Sequence, residues 1–137
     1  MTRPIVVDTC VAYKWLSAVG ETAVEEALAL LDSRSQGQVV LVAPATMPVE
    51  LVNALRYSGL QRDDILALVE DLDLSHVELF EVSSARLAQA ATLAYRHGLS
   101  IYDALFLALA EELDCPLVTA DRRAFGDIEA GVEIRLL

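Results

Sequence analysis

The sequence predicts an α/β fold: a central, mostly parallel sheet with helices on both faces. Three observations carry that expectation. β-rich runs alternate with helical stretches along the chain, and strands separated by helices must cross over, which makes parallel sheets covered on both sides. The 137 residues, 55% of them hydrophobic, supply ample material for one core, so a single domain over residues 1–137 is expected. No low-complexity segment, long linker or internal repeat interrupts the pattern.

The elements follow in order. Residues 4–7 are β-rich and read as a first strand, and residues 11–16 as a short helix. Over residues 21–34, Ala23, Ala27, Leu28, Leu30 and Leu31 recur at near-helical spacing with charges between them, until Gly37 ends the unit. Residues 38–42 form a second strand. Pro44 and Pro48 punctuate a helix start, Pro48 suiting a first turn and Gly59 the far end. The next helix is expected over residues 62–74, with Ile65, Leu66, Leu68, Val69 and Leu72 apolar. In residues 77–82, Val77 and Leu79 alternate with Glu78 and Glu81, which marks a third strand. Residues 84–97 are helical and closed by Gly98, and Ser100 opens a further helix to about Leu113. Residues 116–119 and 132–136 are the fourth and fifth strands.

Charge and hydropathy narrow the function. The net charge is −11 and Lys14 is the single lysine. That argues against a passive nucleic-acid binder gripping phosphates with a basic surface. It leaves room for an enzyme that reaches phosphate through metal ions, and for a basic protein partner steered to an acidic surface. The longest apolar stretch, residues 104–110, is closed by Glu111 and Glu112, well short of the roughly 20 residues needed to cross a membrane. The N-terminus runs straight into a strand and does not read as a signal peptide, so a cytoplasmic protein is expected. Cys10 and Cys115 form no CxxC pattern and are expected to be buried free thiols.

Four acids keep unusual company. Asp8 closes an apolar run from Ile5, Glu50 lies between Val49 and Leu51, Asp103 precedes the apolar stretch from Ala104, and Asp121 follows Leu117-Val118-Thr119-Ala120. Charged groups are rarely buried without a partner. Each acid has a local structural explanation. Asp8 and Asp121 suit helix N-caps, Ser100 to Asp103 resembles a capping box, and Glu50 sits in a first turn where the dipole favours an anion. Taken jointly, they stand at two strand ends and two first helical turns, where an α/β fold gathers its site. An all-oxygen set favours Mg²⁺ or Mn²⁺ over zinc. His76 and His97 offer no zinc-ligand spacing, and no strand–Ser–Gly elbow supports a serine nucleophile. Asn53 follows Glu50 by three residues and is expected on the same helix face, as a partner for a carboxylate or a metal-bound water. Thr9 and Thr119 offer hydroxyls at the strand ends. Arg56, Arg122 and Arg123 flank these segments as candidate phosphate contacts. Tyr13 and Trp15 are read as packing or interface residues.

Four blocks, in order and with matching spacing, resemble a PIN-domain ribonuclease of the VapC toxin type, found in bacterial and archaeal VapBC toxin–antitoxin pairs. They are Ile5-Val-Val-Asp-Thr9, Pro48-Val-Glu-Leu-Val-Asn-Ala-Leu-Arg56, Ser100-Ile-Tyr-Asp-Ala-Leu-Phe-Leu-Ala108 and Leu117-Val-Thr-Ala-Asp-Arg-Arg123. The resemblance implies a five-stranded parallel sheet. It implies an acidic pocket that binds Mg²⁺ or Mn²⁺ through Asp8, Glu50, Asp103 and Asp121, and endoribonuclease activity. It further implies homodimerisation and silencing by an antitoxin protein. Asp8 and Asp103 are the strongest candidates for direct ligands, with Glu50 and Asp121 completing the site. Cys10 departs from the serine the family commonly carries. Asp127 is a candidate outer acid. The expected chemistry is metal-assisted hydrolysis of an RNA phosphodiester. Two rivals remain at this point: a catalytically inactive PIN-like binding module, and a receiver-type phosphorylated signalling domain. The second needs a pair of acids after the first strand and a late lysine, and the chain has neither.

Overall fold

In the computed structural model, which describes residues 2–71 and 76–137, five strands form one parallel sheet in the order β3-β2-β1-β4-β5. The strands are β1 Arg3–Val7, β2 Val39–Pro44, β3 Glu78–Phe80, β4 Leu117–Thr119 and β5 Ile134–Leu136. The helices are α1 Thr9–Leu16, α2 Val24–Ser35, α3 Met47–Arg56, α4 Arg62–Asp71, α5 Ser84–His97, α6 Ile101–Leu113 and α7 Arg122–Phe125. From β1 the chain steps outward through β2 to β3. It then returns through α5 and α6 to place β4 on the other side of β1, with β5 beyond. The reversal falls between β1 and β4, whose carboxyl ends lead into different connections and leave a crevice between them. Register pairs Val6 with Leu117 and Val7 with Val118, so Asp8 and Thr119 are the next facing positions.

Packing explains why β1 and α6 sit at the centre. Ile5, Val6 and Val7 are all buried although successive side chains point to opposite faces of a strand, so both faces of the sheet are covered. Residues 104–110 of α6 are buried without a break, as in a helix that is apolar all round. α6 packs on β1, β2 and β4, with α5 along its other side, while α1 packs on α2 and α3. Removing the fully buried Phe106 ring from this helix would cost about 3–5 kcal/mol.

The element boundaries differ from the sequence expectation in instructive ways. α1 begins at Thr9 because extended Asp8 caps it. α2 begins only at Val24, since Ala23 takes a left-handed backbone with φ of 53°; Glu21 is thereby left in the connection rather than in the helix. Gly98, at φ 68°, closes α5 as expected. The expected continuation of α4 over residues 72–74 lies outside the described residues. Among the described residues, no helix is long and apolar enough to cross a membrane.

Candidate active site

Asp8 is built into the end of β1 by three donors. Its Oδ1 accepts the Thr9 backbone N–H at 2.8 Å. Its Oδ2 accepts the Thr119 hydroxyl at 2.7 Å and the Cys10 thiol at 3.5 Å. Thr119 is fully buried, and its oxygen accepts the Asp121 N–H at 3.0 Å. Cys10 Sγ in turn accepts the Ala120 N–H at 3.3 Å. The carboxyl ends of β1 and β4 are thus tied together through one carboxylate, one hydroxyl and one thiol.

The other three acids come from helix starts. Asp121 caps α7, its Oδ1 accepting the Ala124 N–H at 3.0 Å. Asp103 stands in the first turn of α6, where the Ser100 hydroxyl accepts its backbone N–H at 3.0 Å. Glu50 stands in the first turn of α3, and the Thr9 hydroxyl donates to its Oε2 at 2.8 Å. For Asp8 and Asp121 the capping role and the shared site are therefore compatible, because the cap fixes where the carboxylate points, whereas Glu50 is held by the Thr9 hydroxyl.

Asp8, Glu50, Asp103 and Asp121 all line one open cleft of about 360 Å³. Thr9, Cys10, Tyr13, Glu21 and Ala54 complete it, so every charged residue of the lining is acidic. The carboxylates feel one another. Burial, with the charge of Asp103 added, pushes Asp8 up from 3.8 to about 6, against the pull of its hydrogen bonds. Glu50 is raised by burial and then by the charges of Asp8 and Asp103. Asp103 is raised by burial and by Asp121. Burial and the neighbouring Asp8 push the Cys10 thiol up to about 12, which keeps it protonated and able to donate.

Several residues picked out in the sequence lie elsewhere. Asn53 is exposed and the cleft takes Ala54 instead: both follow Glu50 by about one turn, and the phase of α3 selects the second. Arg56, Arg122 and Arg123 are exposed and outside the lining. The Arg56 guanidinium lies over the Tyr57 ring at 5.5 Å, and Arg122 donates to the Leu137 carbonyl at 3.3 Å. Asp127 is exposed and also outside the cleft. Trp15 packs against the core and donates to the Ala27 carbonyl at 2.8 Å. Tyr13 packs against the core too but also lines the cleft. Glu21 reaches the cleft although nothing in its local pattern marked it. The one signal was the solitary Lys14, which is buried and donates to Glu21 Oε1 at 3.0 Å and to the Thr22 carbonyl at 2.6 Å.

The donor set suits a hard divalent cation. Its ligating atoms are carboxylate oxygens, and Glu50 Oε1 is buried with no hydrogen-bond partner among the described residues. Among those residues no three His, Cys, Asp or Glu side chains stand in an arrangement that could hold a metal ion as they are. Mutually repelling carboxylates do not close on one another unaided, and Mg²⁺ typically keeps several waters and takes only one or two carboxylates directly.

Carboxylates from separate elements thus line one cleft at the topological switch point of a parallel α/β sheet, the place where such folds bind ligands. The chain belongs to the PIN domain family, whose model matches residues 5–130. No curated protein sequence matches the chain. Solved structures do. FitAcB from Neisseria gonorrhoeae is similar at 25% identity, over 96% of each chain, with a TM-score of 0.64. VapC20 from Mycobacterium tuberculosis, described as a sarcin–ricin loop cleaving toxin, shares 22% identity over 92% of this chain and 98% of its own, with a TM-score of 0.68. VapBC2 from Rickettsia felis, solved with a DNA fragment from its promoter, shares 17% identity over 98% of each chain, with a TM-score of 0.67.

Proposed function

We propose that this PIN domain is a Mg²⁺- or Mn²⁺-dependent endoribonuclease, the cytoplasmic toxin component of a type II toxin–antitoxin pair. The observation that carries the reading is the cleft itself: four family-type acids from four separate elements line one space that, among the described residues, takes no basic side chain. PIN domains are generally nucleases, and the similar structures include the sarcin–ricin loop cleaving toxin.

Asp8 and Asp103 would hold the cation directly, with Glu50 and Asp121 completing the shell directly or through water. When bound, such a cation supplies Lewis-acid charge at the scissile phosphate and makes water more acidic. The protein's own contribution is orientation. Thr119 and Cys10 fix the rotation of the Asp8 carboxylate, and Thr9 holds Oε2 of Glu50. Glu50, raised by its surroundings, is suited to orient the attacking water. Arg122 and Arg123, beside Asp121 and exposed, suit phosphates at the rim of the cleft, as does Arg56 near α3's end. Thr9 and Thr119 support the acids, and Asn53, exposed on α3, is left with an outer role at most.

The similar structures include toxin–antitoxin complexes such as the one from Klebsiella pneumoniae, which supports an antitoxin partner, and homodimerisation follows from the family resemblance. An antitoxin that places a basic side chain in the acidic cleft would displace the cation. Replacing that side chain would leave inhibition intact if the idea is wrong.

The test is cleavage of RNA by the purified protein with Mn²⁺ or Mg²⁺ and with a chelator. Asp8→Asn and Asp103→Asn are expected to remove cleavage while keeping the fold. Wild-type rates in both variants, or undiminished cleavage in the chelator, would sink the proposal.

A further inference from the structure

A cleft lined by carboxylates is rich in acceptors, and RNA presents acceptors too. Its phosphate and sugar oxygens need donors that metal ions do not supply beyond the reacting group. The lining offers few. The Thr9 hydroxyl is committed to Glu50 and the Cys10 thiol to Asp8. Ala54 has no polar side-chain atom, and the ionised acids only accept. Tyr13 remains. Its side chain is half-buried, lines the cleft and makes no hydrogen bond to any described residue, so its hydroxyl is available to a ligand.

We propose that Tyr13 is a substrate-contacting residue whose phenol donates a hydrogen bond to a backbone oxygen of the nucleotide next to the scissile phosphate. The inference rests on the nuclease reading and names a contact beyond the acidic residues. Position supports it. Tyr13 follows Thr9 and Cys10 by one helical turn, so the three share a face of α1, with Tyr13 about 6 Å further along the axis than Thr9. That places it beside the reacting centre rather than on it. Rigidity supports it as well. The ring packs against the core, and the next two residues anchor the helix, Lys14 through Glu21 and Thr22 and Trp15 through Ala27. A fixed ring with an uncommitted hydroxyl loses little conformational entropy when it binds.

The experiment compares wild type, Tyr13→Phe, Tyr13→Ala and, as a control, Tyr95→Phe on the exposed face of α5. A labelled single-stranded RNA is used for cleavage in Mn²⁺ and for fluorescence-anisotropy binding with Ca²⁺ in place of Mn²⁺. Tyr13→Phe is expected to raise both Kd and KM by about 3- to 10-fold, the loss of one hydrogen bond, with kcat little changed, the mark of a contact made equally in ground and transition states. Its melting temperature should match wild type, and Tyr95→Phe should bind as wild type does. Wild-type Kd in Tyr13→Phe overturns the proposal, including the case where Tyr13→Ala alone binds weakly, which would make the contact one of ring stacking. Wild type that binds RNA without cutting it defeats the nuclease reading and leaves the Tyr13 contact to be judged on Kd. Wild type that neither binds nor cuts defeats both.

Discussion

Asp8 is pulled in two directions, and the conflict is measurable. Three donors favour its carboxylate form, yet burial and Asp103 outweigh them and raise its pKa to about 6. Between 3.8 and about 6 the folded protein holds a proton that the unfolded chain has released. The group's contribution to stability is therefore full below pH 3.8 and is lost as pH rises through 6. Glu50 and Asp103 are raised as well and act in the same sense. Metal-free protein is expected to lose on the order of 3 kcal/mol of stability over that window from Asp8, read by urea unfolding at a series of pH values. Asp8→Asn should flatten the profile, and an unchanged pH dependence in the variant would contradict this account. Cys10 offers a second test. Cys10→Ala strips a donor from Asp8 and an acceptor from the Ala120 N–H, a loss of about 1–2 kcal/mol. Cys10→Ser keeps both bonds and should stay near wild type in the same unfolding assay.

At the scale of elements, the helix starts do double duty. α1 and α7 are capped by Asp8 and Asp121, and α6 by Ser100 just ahead of Asp103. The roles separate by substitution, because Asn caps about as well as Asp while Ala does not. Asp121→Asn is expected to keep wild-type stability and lose most RNA cleavage. Asp121→Ala should lose cleavage and also about 1 kcal/mol of stability. Equal cleavage by the Asn variant and wild type would leave Asp121 with the cap alone. These starts were legible in the sequence because capping is local: Asp8, Asp121 and Ser100 announce themselves next to the residues they cap. The start of α2 was not legible. The left-handed turn at Ala23 has no glycine or asparagine to mark it, and a three-residue change in the boundary moved Glu21 from a helix to the cleft.

At the scale of the whole molecule, the sheet order converts scattered acids into one field. With five acids lining the cleft and no cation among them, a divalent ion that binds only the folded state should stabilise it by mass action, by about 2.7 kcal/mol at a concentration 100 times its Kd. Mn²⁺ is expected to raise the melting temperature of wild type, and Asp8→Asn/Asp103→Asn to respond far less. An equal rise in both would place the ion elsewhere on the acidic surface. Lys14 shows the same logic on a smaller scale. The only lysine of a chain with net charge −11 is buried against Glu21, where it balances one acid of the wall and leaves Asp8, Glu50, Asp103 and Asp121 uncompensated.

Periodicity, turn residues and caps are short-range physics. For that reason the sequence alone determined the α/β class, the order of its strands and helices, and the four acids worth following. What it left open depends on contacts between residues far apart in the chain. The placement of β1 beside β4, which brings Asp8 within 2.7 Å of the Thr119 hydroxyl, follows from how α6 docks on β1, β2 and β4. The choice of Ala54 over Asn53 is a matter of helix phase, set by which face of α3 the core accepts, since Leu51 and Leu55 are fully buried. Tyr13 and Glu21 entered the cleft for the same reason. Lys14 is the one local signal beside them, and the packing of α1 and the connection after it brings them to the site.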